Sequence, residues 1–141
     1  MSSDPIAKAE VEYDPQVDAL VIRVFGRLFY DDLPQIVQQV IDHPGFRINI
    51  NQLFDCTEGE LGLSTQDLEH IAEDFTAISD LLGLNRRLAL LVSRAVDFGM
   101  MRQYEVFFRP GPGVNVRTFR ERQAARIWLQ SDTEKHDDQG T

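Results

Sequence analysis

Side chains that do chemistry in enzymes are sparse in this chain of 141 residues, and its one cysteine is the first to consider. Cys56 follows a predicted strand, which is where α/β folds carry functional groups. A cysteine nucleophile needs a lowered pKa and a neighbouring base. Because the predicted elements bring no histidine to Cys56, we interpret this residue as a small packed thiol. A single cysteine also excludes an internal disulfide and a cysteine-based zinc site.

The histidines and paired carboxylates give no complete metal site or catalytic dyad. His70 follows Asp67 by three residues in a predicted helix, so the two side chains occupy neighbouring positions on one face. A dimetal carboxylate site needs two such motifs and further glutamate ligands from other helices. The adjacent Asp31 and Asp32 are explained as caps of the helix that follows them. We therefore expect a non-enzymatic protein with no metal and no cofactor.

A serine begins the helix whose start is most clearly marked. The run Ser64-Thr65-Gln66-Asp67 fits a capping box. In that motif the serine hydroxyl accepts a hydrogen bond from the third helical N–H, and the carboxylate accepts one from the serine N–H. Capping alone explains a serine at this position.

Strands alternate with helices in the hydrophobic pattern that must position these residues. Alternating or continuous apolar runs predict strands at 7–13, 19–25, 46–55, 88–92 and 114–119. Apolar residues at helical spacing predict helices at 33–42, 64–82, 95–108 and 121–130. The order β-β-α-β-α-β-α-β-α predicts an α/β domain with a five-stranded, mostly parallel sheet, one antiparallel edge strand and four helices. We expect one domain over 6–130, with disordered segments at 1–5 and 131–141.

Charge is unevenly distributed along the chain, whose formal net charge is −9. Residues 1–85 hold 16 acidic and four basic side chains, whereas residues 86–126 hold nine arginines and three acidic side chains. Either the asymmetry marks an oriented binding face or the two parts neutralise each other after folding. The acidic balance argues against nucleic acid as a partner, and no apolar run is long enough to span a membrane. With no secretory signal at the start, we expect a cytoplasmic protein.

Four short motifs follow one another in an order that resembles a known family. They are Val24-Phe25-Gly26-Arg27-Leu28, Leu53-Phe54-Asp55, Phe98-Gly99-Met100-Met101-Arg102, and Val116-Arg117-Thr118-Phe119 leading to Ala125-x-x-Trp128-Leu129. In order and spacing they resemble the STAS family (sulfate transporter and anti-sigma-factor antagonist). The resemblance is greatest to its stand-alone bacterial branch of sporulation anti-sigma-factor antagonists, and it covers about residues 7–130.

The resemblance implies a regulatory domain that acts through protein contacts. In classical members, phosphorylation of a serine at the start of the helix after the third strand releases a bound partner. Ser64, followed by Thr65, matches that position, so the resemblance makes these two residues the candidate phosphosites. The family motif there is Asp-Ser-Ser-Gly-Leu, whereas this chain has Leu63-Ser64-Thr65-Gln66-Asp67.

The predicted third helix is apolar nearly all round, which is more than one buried face requires. Its apolar residues include Phe98, Met100, Met101, Tyr104 and Phe107. This surplus favours either a homodimer seam or the lining of a pocket for a small apolar or anionic molecule. With Cys56 and Thr57, these residues form our candidate surface for a partner or ligand. We expect a regulatory protein-interaction domain; the alternative is a carrier of a small molecule or lipid.

Overall fold

A five-stranded sheet organises the chain, and a two-stranded sheet lies beside it. The computed structural model describes residues 8–83, 85–108 and 115–131. Its strands are β1 (Ala9–Asp14), β2 (Ala19–Val24), β3 (Gly26–Leu28), β4 (Asn51–Asp55), β5 (Gly59–Leu61), β6 (Arg87–Leu91) and β7 (Asn115–Phe119). The larger sheet has the order β1-β2-β4-β6-β7. Only the β1–β2 pair within it is antiparallel, which confirms the predicted sheet and its antiparallel edge.

Within the described part of the chain five α-helices accompany the strands, one more than predicted. They are α1 (Leu33–Asp42), α2 (Thr65–Ala77), α3 (Ser79–Leu82), α4 (Ala95–Phe108) and α5 (Arg122–Gln130), and a short 3₁₀ turn (Tyr30–Asp32) precedes α1. The helix predicted at 64–82 is interrupted at Ile78. The hydroxyls of Thr76 and Ser79 donate to the carbonyls of Ala72 and Thr76 there, and such bonds compete with regular helical pairing.

The sheet is covered on both faces, as the continuous apolar run of β6 predicts. The larger core lies between the sheet and α1, α2 and α4. A smaller core packs Trp128 and Leu129 of α5 against the opposite face. All five residues of β6 are buried, which agrees with a central parallel strand.

The strands differ from the sequence prediction in two respects: one begins later than expected, and a short pair was not predicted. The strand expected at 46–55 begins only at Asn51, because turns occupy the residues before it. Asn49 has a left-handed φ of 72°, and Ile48 is 59% exposed, so the alternation at 46–50 does not reflect a strand. The parallel pair of β3 and β5 was not predicted, because three-residue strands leave no periodic signal. The terminal disorder expected at 1–5 and 131–141 falls outside the described residues, except at Ser131.

Candidate functional site

Polar side chains meet where the strands of the parallel sheet end, and they bond to one another. Asp55, at the end of β4, is 4% exposed. Its Oδ1 accepts hydrogen bonds from Thr57 N at 2.9 Å and Thr57 Oγ1 at 2.7 Å, and its Oδ2 lies 2.7 Å from Arg122 Nη1. Burial raises the pKa of the Asp55 carboxyl, whereas the hydrogen bonds from Thr57 and the charge of Arg122 lower it. The lowering effects are larger, so the pKa lies below its usual value. The carboxylate is therefore kept ionised and fully engaged in holding β4 to the start of α5.

Cys56 is packed inside the protein, 2% exposed. Burial raises the pKa of its thiol far above the ordinary range, and the carboxylates of Asp55 and Asp97 raise it further. A thiol held protonated in this way is a poor nucleophile. This burial confirms the interpretation of Cys56 as a small packed thiol and takes its side chain out of the candidate binding surface, because it belongs to the apolar core. Thr57 is half-buried, and its hydroxyl is engaged with Asp55.

Ser64 caps α2 with the geometry that the sequence predicts. Its Oγ accepts from Asp67 N at 3.0 Å, and its own N–H donates to Asp67 Oδ2 at 2.9 Å. Ser64 and Thr65 are both exposed. A phosphoryl group on Ser64 would replace the capping hydroxyl and meet the carboxylate of Asp67. Phosphorylation of Ser64 or Thr65 stays a prediction.

The apolar residues of α4 have a different role from the exposed seam that we considered. Met101 and Tyr104 are buried, and Phe98 and Met100 are half-buried against the same core. Because α4 packs against both β7 and α2, it buries more than one face. Met101 and Tyr104 therefore do not form an exposed seam, and their burial agrees with the alternative in which the third helix lines a pocket; the side chain of Phe107 lies outside the described residues. The expected homodimer stays a prediction that sedimentation velocity can test.

A small cavity of about 50 Å³ lies between the sheet and the helices α1, α2 and α4, and its wall is almost wholly apolar. Met101 and Tyr104 contribute to this wall, as the pocket alternative for the third helix requires. Gln52 of β4 contributes an amide to this wall, and it is buried at 8% exposure. Its Nε2 has no hydrogen-bond partner among the described residues. An unpaired buried amide is costly, so this group could serve a molecule that supplies an acceptor oxygen.

Above this cavity an apolar groove of about 420 Å³ opens between α1 and the pair α2–α3. We call it the α1–α2 groove. One wall consists of Tyr30, Leu33, Pro34, Val37, Gln38 and Ile41, and the other of Ile71, Asp74, Phe75, Ala77, Ile78 and Leu81. Four residues line both the groove and the cavity, so the two are adjacent: Leu33, Val37, Ile71 and Phe75.

Sequence reasoning missed this groove, although α1 carried a signal for it. The apolar stripe of α1 is wider than the face that the helix buries. Ile36 and Val40 are buried, whereas Leu33, Val37 and Ile41 are only half-buried. Leu81, at the far end of the groove, is 49% exposed. A stripe wider than its buried face could have indicated a binding groove.

Acidic side chains surround one end of the groove. The hydroxyl of Tyr30 donates to Asp74, and the His70 ring lies 6.0 Å from the Tyr30 ring. The hydrogen bond to Asp74 raises the pKa of Tyr30, as do burial and the negative charges of Asp74, Asp31 and Asp67. The groove therefore combines an apolar floor with a negative field at this end.

The described part of the chain holds neither a metal-binding cluster nor a membrane-spanning helix. No group of three or more histidine, cysteine, aspartate or glutamate side chains within 8–83, 85–108 and 115–131 is placed to hold a metal ion. Over the same residues, no helix has both the length and the apolar character needed to cross a bilayer.

Comparison with known proteins identifies the fold. No protein-family model matches the chain, and no curated protein is similar to it. Among solved structures, it is similar to an uncharacterized protein of the DUF3478 family from Shewanella loihica PV-4, which has a SpoIIAA-like fold. The two are 19% identical over 92% of this chain and 98% of that chain, with a TM-score of 0.54. This similarity shows the fold alone, and it confirms the STAS-like architecture that the motifs predict.

Proposed function

We propose that this chain, with its SpoIIAA-like fold, is a non-enzymatic regulatory domain that binds a partner protein in the α1–α2 groove. The observation that carries the proposal is the groove itself, an apolar opening of about 420 Å³ on the surface of the domain. Contiguous apolar surface of this kind on a folded domain is typical of interaction sites. The STAS-like fold supports a regulatory role, and we expect that role to be carried out in the cytoplasm.

The state of the chemically capable side chains supports a binding role over catalysis. The Cys56 thiol is buried, and its pKa is raised. The Asp55 carboxylate is saturated by Thr57 and Arg122, and the Ser64 hydroxyl is engaged in the helix cap. The side chains that line the groove, by contrast, keep exposed apolar area that a partner can contact.

Affinity capture from the organism that makes the chain tests this proposal. The variant Leu81→Gln removes apolar area from the groove without adding charge, and Ile127→Gln makes the same kind of change on α5, outside the groove. The two positions are well matched, with Leu81 49% and Ile127 57% exposed. We expect a specific protein to be retained by the wild type and by Ile127→Gln and lost with Leu81→Gln. The same set of captured proteins with all three chains would contradict the proposal.

A second candidate function is binding of a small apolar molecule that carries an acceptor oxygen. The observation that favours it is the unpaired Nε2 of Gln52 in the cavity beneath the groove. Native mass spectrometry of the protein purified from its own organism tests this candidate. A bound small molecule that is retained by the wild type and depleted in Gln52→Met would support a carrier. Detection of only the unliganded chain, in both the wild type and Gln52→Met, would count against the carrier function.

A further inference from the structure

The α1–α2 groove lies between elements that carry only one sign of formal charge. The segments 30–42 and 65–82, which form its two sides, contain no lysine or arginine. Their carboxylates belong to Asp31, Asp32, Asp42, Asp67, Glu69, Glu73, Asp74 and Asp80. Among the described residues only Asp32 has a cationic partner, Lys8 at 3.3 Å. The surroundings of the groove are therefore acidic and largely unneutralised.

The acidic residues stand at both ends of the groove. Asp31, Asp67 and Asp74 raise the pKa of Tyr30 at one end. At the other end Asp42 accepts a hydrogen bond from Gln38, which lines the groove, and Asp80 precedes the lining residue Leu81. A ligand that lies along the groove thus meets negative charge at both of its ends.

The groove has the length and direction of a helix-binding site. Because α1 and α2 both connect parallel strands over the same face of the sheet, they run side by side in the same direction. The ten residues of α1 span about 15 Å, which corresponds to roughly three turns of a docked α-helix. Amphipathic helices commonly bind in apolar grooves of this form through residues spaced three and four apart.

We infer that the partner inserts a cationic amphipathic α-helix into the α1–α2 groove, with its apolar face on Leu33, Val37, Phe75 and Leu81 and its lysines or arginines toward the acidic ends. This inference rests on the proposed function and names the chemistry of the partner. Opposite charges across an interface raise the association rate and select against wrong partners.

The same charges disfavour the other occupants of an apolar groove. A second copy of this chain that presents the same acidic face, as in a symmetric dimer across the groove, would add repulsion at the acidic ends. The cytoplasmic leaflet of a membrane is also negative, so a bilayer would be repelled by this face. A basic helix is the occupant whose charge and shape both match the groove.

Binding of two synthetic helical peptides, measured by fluorescence anisotropy, tests the inference. Each peptide has about 14 residues and the same leucine face, and the polar face is lysine in one and glutamate in the other. We expect the lysine peptide to bind the wild type and Ile127→Gln equally, and to bind Leu81→Gln about tenfold more weakly or worse. The affinity of the lysine peptide should fall with added salt. The double variant Asp31→Asn, Asp80→Asn should bind this peptide about threefold more weakly than the wild type does. Chemical denaturation of each variant checks that the fold is retained.

The contrary outcomes separate this inference from the proposed function. Equal binding of the two peptides, weakened for both by Leu81→Gln, would overturn the cationic helix and leave the groove as the docking site. Failure of both peptides, with a partner still captured in a Leu81-dependent way, would also overturn only the helix. Peptide binding unaffected by Leu81→Gln would overturn both proposals. Binding of the chain to vesicles of anionic phospholipid, lost in Leu81→Gln, would replace the helix with a bilayer.

Discussion

Ser64 illustrates how a residue that suggests regulation first has a structural task. Its hydroxyl and N–H close a reciprocal pair of hydrogen bonds with Asp67 at the start of α2. Any regulatory use of this serine must therefore break or replace a cap that the helix needs. A phosphate there would be attracted by the positive end of the helix dipole but repelled by the adjacent carboxylate of Asp67.

The cap of α2 gives a prediction at the scale of a single residue. Ser64→Ala should lower the free energy of unfolding by about 1 kcal/mol, because an N–H loses its acceptor. Ser64→Asp should retain most of that stability, since aspartate is also a good N-cap. Thr65→Ala is the matched control, and urea denaturation measures all three. Equal stability of wild type and Ser64→Ala would show that the capping box contributes nothing.

Asp55 gives a prediction about pH. The pKa of its carboxyl is lower in the folded protein, because the bonds from Thr57 and the charge of Arg122 outweigh burial. The stability from this group is therefore fully present above the unfolded pKa of about 3.9 and is lost as pH falls through the folded pKa. Asp55→Asn should cost about 1–3 kcal/mol at neutral pH, and that difference should shrink as pH falls below about 4.

Denaturant titrations over this pH range measure the effect. Asp80→Asn is the control, because Asp80 is exposed on α3 and has no ion pair among the described residues. A cost of Asp55→Asn that stays constant down to pH of about 3 would contradict the assigned role of the ionised carboxylate.

At the scale of elements, the sequence predicts the helices and strands that have a periodic apolar pattern. It does not predict features that depend on how one element packs against another. Periodicity in the sequence predicts the mostly parallel sheet with its antiparallel edge strand and the span of α4. Local capping residues predict the start of α2. The burial of Met101 and Tyr104 was not predictable, because it depends on α4 packing against both β7 and α2. The groove was missed for the converse reason: α1 presents apolar residues that no neighbouring element covers fully.

Two glycines differ sharply in what their elements require. Gly83 ends α3 at a φ of +104°, and a Cβ there would lie 2.5 Å from Asn49 N and clash with the Asn49 side chain. Gly83→Ala should therefore destabilise the protein by about 2–4 kcal/mol. Gly99 lies in α4 with open space around it, so Gly99→Ala should stabilise by about 0.5–1 kcal/mol. Thermal and urea unfolding measure both, and a stabilising Gly83→Ala would refute the described turn.

At the scale of the whole molecule, the net charge of −9 is the sum of acidic and basic segments that are partly paired with each other. Several arginines of the basic segment pair with acids of the first part of the chain: Arg122 with Asp55, Arg126 with Asp14, and Arg94 with Glu60. These pairs neutralise part of the charge asymmetry along the chain. This agrees with the interpretation that the acidic and basic parts neutralise each other after folding. The carboxylates on both sides of the α1–α2 groove lie outside these pairs, so among the described residues much of the unpaired negative charge lies on the face that we propose binds the partner.

Site-specific photo-cross-linking in living cells tests that central proposal most directly. A photoreactive amino acid replaces Leu81 in the groove in one chain and Ile127 on α5 in another, two positions with similar exposure. The account predicts one discrete cross-linked partner protein from position 81, through a basic helical segment, and none from position 127. Cross-linking to that partner from position 127 but not from position 81 would contradict it.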